Sequence, residues 1–133
     1  VFIITPGSGL LHEGTSVTAE ELRRFAMVSV DHRNEQYVAP LLRDAQALAA
    51  RAGEDARFVL LGSIASGKYV DPLLQVLGER VLFPADFVGR GDMSRGGLML
   101  RAARDGAELG YVPVLGATRH GRRPEKLPRI SRP

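Results

Sequence analysis

Apolar residues in this chain come in two arrangements, short contiguous runs and longer stretches with helical spacing. Val1–Ile4, Phe58–Leu61, "RVLF" before Pro84 and "GYVPVL" around Pro113 are runs of the first kind. Contiguous apolar runs bounded by turn residues predict strands, and Phe58–Leu61, apolar without alternation, predicts a central strand covered on both faces. Pro113 cannot donate to a ladder, which marks the last run as an edge strand.

Helical spacing appears three times between these runs, once with each set of end signals. In "TSVTAEELRRF", Thr18 stands as N-cap with Glu21 three residues on, a capping box, and Leu22, Phe25, Ala26 and Ser29 share one face. Tyr37, Val38, Leu41, Leu42, Ala45, Leu48, Ala49 and Ala52 recur at helical intervals before Gly53. Pro40 then falls in or near the first turn or marks a kink. In "VDPLLQVLGE", Asp71 reads as N-cap, Pro72 as the first helical residue and Gly78 as the stop. A fourth helix is expected from Met93 to about Arg104, capped by Asp92.

Strands alternating with helices predict an α/β, three-layer, Rossmann-like domain. Its sheet is expected to be mainly parallel, with about four or more strands. Ligands in such sheets bind at the carboxyl ends of the strands. Three loops fall there, Thr5–Gly9, Gly62–Tyr69 and Pro84–Gly97, all rich in Gly, Ser and charge.

The second of these, "GSIASGKY", follows a strand in the form G-x-x-x-x-G-K and resembles a P-loop over eight residues. A P-loop wraps phosphate with backbone N–H groups, extends a Lys to it and places a Ser or Thr hydroxyl on Mg²⁺. Tyr69 holds that last position, and a phenol lies too far from its backbone to serve. The expected helix start at Asp71-Pro72 also comes too late. The loop is therefore read as an imitation that keeps Ser63, Ser66, Gly67, Lys68 and Tyr69 as candidates for holding an anion.

The third loop, "FVGRGDMSRGG", offers Arg90 and Arg95 among glycines that admit close backbone approach. Arg95 would sit in the first turn of a helix, where a cation opposes the macrodipole and calls for an anionic partner. Asp86, Asp92 or a ligand could serve, and a purely internal brace of the loop is the competing reading. Asp86 and Asp92 are the candidate acid–base groups. No H-E-x-x-H, G-x-S-x-G or G-x-G-x-x-G pattern occurs, so no metal site is expected and no cofactor is assigned.

Composition changes the picture at one end only. The 133 residues are 44% hydrophobic and 25% charged, as in an ordinary globular domain, and carry a net charge of +3. Arg119, Arg122, Arg123, Lys126, Arg129 and Arg132 against Glu125 give residues 116–133 a balance of +5, leaving the remainder at −2. The chain thus divides into an α/β domain, 1–115, and a basic Pro/Arg-rich arm, 116–133, expected to be extended or disordered. Zero cysteines exclude disulfides and thiol chemistry and agree with a cytoplasmic location. No apolar run is long enough to span a membrane, and the opening run lacks the basic flank of a signal peptide. Val1 opens directly in an apolar run, as though the natural start lay upstream.

Two functions follow. The first is binding of a phosphorylated or nucleotide-like anionic metabolite at the strand-end loops, with chemistry on it if Asp86 or Asp92 takes part. The alternative is a nucleic-acid-associated or oligomeric assembly domain working through the arm, which suits phosphate backbones but has no aromatic residue for base stacking.

Overall fold

A computed structural model of the chain describes residues 1–131; Arg132 and Pro133 of the basic arm lie outside the described residues. The first apolar run forms β1 (Phe2–Ile4), which turns back at once into β2 (Leu10–His12) as an antiparallel hairpin pairing Phe2 with His12 and Ile4 with Leu10. The turn is closed from inside. The Thr5 N–H and hydroxyl both donate to the Gly9 carbonyl, at 2.9 and 2.8 Å, and Gly9 takes the left-handed φ of +64° that closure requires.

Helix α1 (Ala19–Ala26) starts on the expected capping box of Thr18 and Glu21, but no residue of it is fully buried and Leu22 is 54% exposed. Helix α2 (Glu35–Ala52) is capped by Asn34 and ends at Gly53. Pro40 sits inside it, just past the first turn, without breaking it. Tyr37, Val38, Leu41 and Ala45 form its buried stripe, each large member contributing about 1.5–3 kcal/mol by leaving water.

Strand β3 (Phe58–Val59) pairs parallel with β4 (Val81–Pro84), and β4 pairs antiparallel with β5 (Tyr111–Pro113). Between them run α3 (Gly67–Leu77) and α4 (Asp92–Asp105). The core is α2 and α3 packed on one face of this sheet, with Tyr37, Leu41, Val70, Val81, Phe83, Phe87 and Val114 all nearly inaccessible. The opposite face is only partly covered: α4 buries no residue completely, and Val59 and Leu61 stay exposed.

The expected Rossmann-like, mainly parallel sheet of four or more strands is therefore not what forms. A two-stranded antiparallel sheet and a three-stranded mixed sheet with one parallel pair stand in its place. Two physical causes account for this. The first run finds its partner six residues away through the Thr5–Gly9 turn, so it does not join the central sheet. The last run is preceded by a helix, which permits either strand direction, and here it returns antiparallel to β4.

Helix α3 also departs from expectation. It begins at Gly67 with Ser66 as N-cap, so Asp71 and Pro72 lie within it. Pro72 has no N–H for the carbonyl of Lys68 one turn back. That carbonyl instead accepts a hydrogen bond from the buried Tyr37 hydroxyl at 2.7 Å. A proline is thus tolerated inside α3 because α2 supplies the missing donor. Helix α4 likewise starts one residue early, with Gly91 as N-cap and Asp92 as the first helical residue rather than the cap.

Residues 116–131 contain no helix or strand; most are exposed, and Ala117, Arg119, Pro124 and Leu127 are half-buried. Leu127 rests on Gly97 of α4, and Arg101 donates to the Pro128 carbonyl.

Candidate functional site

The parallel strands β3 and β4 end side by side, so the loops that follow them emerge at one edge. From β3 the chain passes through Gly62–Ser66 into α3; from β4 it makes a 3₁₀ turn, Ala85–Phe87, and passes through Val88–Gly91 into α4. Between these two loops lies a cleft of about 260 Å³. Ile64 and Ala65 line it from the first loop, Phe87 and Arg90 from the second, Arg95 from the first turn of α4, and Arg119 and His120 from the C-terminal segment.

The cations are positioned by neutral and charged partners alike. Arg90 donates through Nε to the Asp86 carbonyl at 2.7 Å and through Nη1 to the Ser94 hydroxyl at 3.0 Å. Arg95 donates through Nη1 to the Arg90 carbonyl at 2.7 Å and through Nη2 to the Asp92 carboxylate. Its side chain is only 12% exposed, whereas Asp92 is almost fully in water. A cation in the first turn of α4 thus has the anionic partner that the macrodipole demands. These bonds engage two of the five N–H groups that each guanidinium carries. Arg119 reaches Asp71 of α3 at 3.4 Å, longer than the 2.7–2.9 Å or so typical of a charged N–H···O bond.

Of the residues singled out in the sequence, Arg90 and Arg95 therefore meet in one cleft. Ser63, Ser66, Gly67, Lys68 and Tyr69 belong to the loop and helix beside it but do not line it. Lys68 lies 5.0 Å from the ring centroid of Tyr69, a cation–π contact, and its carbonyl is the one held by Tyr37. Ser66 caps α3 by position without a side-chain hydrogen bond. Asp86 offers its main-chain carbonyl to Arg90, and Asp92 its carboxylate to Arg95; neither lines the cleft.

The P-loop resemblance shifts in detail. Gly67 and Lys68 do open the helix, as in a P-loop, so a late helix start no longer counts against it. The position for the metal-binding hydroxyl is still Tyr69. In addition, the Asp71 carboxylate folds back over the first turn of α3, where a Cβ on Gly67 would collide with it. Side chains of a helix lean toward its N-terminus, and here that lean brings a negative charge to the donors a phosphate would use.

Sequence reasoning assigned Arg119 and His120 to a separate arm and missed their place in the cleft. A signal existed in the glycines. Gly89, with φ +75°, and Gly121 face each other where the segment crosses the loop. Nothing local, however, pairs two glycines so far apart in sequence. Among the described residues no group of His, Asp or Glu is arranged to hold a metal, and no helix is long and apolar enough to cross a membrane. Comparisons with protein-family models, with curated proteins and with solved structures find no match to this chain.

Proposed function

We propose that the chain binds a small phosphorylated metabolite in the cleft at the ends of β3 and β4. The observation that carries this reading is the convergence of Arg90, Arg95 and Arg119 on one cleft at the carboxyl ends of two parallel strands. Three guanidinium groups stand there against two carboxylates, Asp92 and Asp71. Like charges held together without full compensation favour an anion. The cleft's size narrows the ligand: about 260 Å³ lies below the roughly 300–1,000 Å³ of sites for drug-sized molecules. A phosphate group with a small organic part suits it better than a nucleoside triphosphate.

The test is thermal unfolding with inorganic phosphate and small phosphomonoesters, against chloride at equal ionic strength. A ligand at ten times its Kd stabilises by about 1.4 kcal/mol, or roughly 5 °C in a domain of this size. If no phosphate compound raises Tm above the chloride control, the proposal fails.

A second reading rests on the outward side chains of the C-terminal segment. Arg122, Arg123, Lys126 and Arg129 are all exposed, a track suited to a polyanion such as nucleic acid. It requires salt-dependent binding that is lost when residues 119–133 are removed; binding unchanged by that deletion eliminates it.

A further inference from the structure

We infer that Arg119 is an anion-binding residue and that docking of the C-terminal segment and occupancy of the cleft stabilise each other. The inference rests on the reading of the cleft as an anion site lined by three arginines and adds to it that the wall carrying Arg119 is coupled to the ligand.

The docking is built into the chain on both sides of the contact. At Gly89 the backbone has φ +75°, and a Cβ there would run into the Arg122 carbonyl. On the facing side, a Cβ on Gly121 would lie 2.7 Å from Val88 Cγ1. Two backbones pass at this point with room for no side chain, which is the use of glycine at a close approach. Beyond the crossing, Leu127 packs on Gly97, where a Cβ would lie 3.2 Å from Leu127 Cδ1, and the Pro128 carbonyl accepts from Arg101. The segment is therefore anchored downstream of the cleft, and the crossing sets where Arg119 and His120 enter it.

What Arg119 meets there is a weak partner. Its 3.4 Å contact with Asp71 joins two groups that are 32% and 49% exposed, the kind of pair that water and salt screen strongly. A phosphate carries more negative charge than Asp71 and accepts two parallel N–H bonds from a guanidinium. Arg119 can then exchange Asp71 for the ligand. The exchange also relieves the repulsion among Arg119, Arg90 and Arg95, which opposes docking while the cleft is empty. By linkage, whatever factor docking contributes to anion affinity, the anion returns to docking.

The experiment measures inorganic phosphate binding by calorimetry alongside the rate of tryptic cleavage after Arg119, Arg122, Lys126 and Arg129. Arg119→Ala is expected to weaken phosphate binding roughly tenfold, the scale of a lost charge-assisted pair. Gly121→Val and Leu127→Ala undock the segment without changing its charge. They should weaken binding about fivefold or more and speed cleavage. Asp71→Asn removes the competing carboxylate and should tighten binding. Phosphate should slow cleavage of the wild type but not of Arg119→Ala. If the wild type binds phosphate and both Arg119→Ala and Leu127→Ala bind it equally well, the inference is overturned and the anion site stands without the segment. If the wild type binds no phosphate, the anion site and the inference fall together.

Discussion

Replacing Tyr37 by Phe keeps the buried ring and deletes one hydroxyl. That hydroxyl donates to the Lys68 carbonyl at 2.7 Å, the acceptor that Pro72 leaves without its helical donor. A buried acceptor stripped of its donor costs about 1–3 kcal/mol. Lys68 is half-buried, so water compensates part of the loss and about 1–2 kcal/mol is the expected cost. With an unfolding entropy of about 2.1 cal/mol/K per residue, that corresponds to a fall in Tm of about 4–7 °C.

The decisive measurement is a double-mutant cycle with Pro72→Ala, read by urea and thermal unfolding. Alanine restores the N–H at position 72, so the Lys68 carbonyl is satisfied within the helix and Tyr37→Phe should then cost less than about 0.5 kcal/mol. An equal cost in both backgrounds would refute the account of how α3 tolerates its proline. Burial, with a smaller contribution from Tyr69, also pushes the Tyr37 phenol above its ordinary range. A raised folded value means stability that is full below the unfolded value of about 10 and falls as pH rises beyond it. The variant should therefore lose less stability than the wild type on the alkaline side.

Three further outcomes test the hairpin and the first helix. Gly9→Ala places a residue in the left-handed region, with its methyl 2.7 Å from the Pro40 carbonyl and against the Asp44 carboxylate. A loss of about 2 kcal/mol or more is expected, and an unchanged urea midpoint would contradict the turn geometry. Asp44→Ala removes the acceptor of the Leu10 N–H at 2.9 Å, at a cost of about 1 kcal/mol at neutral pH. The Arg43 hydrogen bond first, and the Leu10 N–H second, hold the Asp44 carboxyl below its ordinary range. Its stabilisation is therefore present above the unfolded value of about 3.9 and lost as pH falls through the folded one. The gap between variant and wild type should close in acid. Thr18→Ala breaks the capping box of a helix that buries no residue completely. It should speed amide exchange across Ala19–Ala26 about fivefold, the factor for roughly 1 kcal/mol, while leaving global Tm nearly unchanged.

The features legible in the residues are those whose causes lie within a few positions. The Thr18–Glu21 capping box, the stripe of α2 and its stop at Gly53, and the apolar runs that became β3, β4 and β5 are all of this kind. The loops after β3 and β4 do flank one cleft, whereas Thr5–Gly9, expected beside them, closes the separate hairpin of β1 and β2. Local rules misled where a distant group intervened. Asp71-Pro72 carries every sign of a helix start, yet α3 begins at Gly67 because Tyr37, 31 residues away, serves the carbonyl that proline leaves free.

Strand partners were beyond local rules for the same reason. An apolar run states that it will be buried, not which strand it will lie beside or in which direction. β1 turned to its own neighbour and β5 ran back against β4, leaving one parallel pair where a mainly parallel sheet of four or more strands was expected. The place of Arg119 was hidden in the same way, since it depends on a backbone crossing between Gly89 and Gly121. Propensity, capping and periodicity are properties of neighbouring residues. Pairing, crossing and the meeting of charges are properties of the packed chain, and it is packing that brings the arginines of this cleft together.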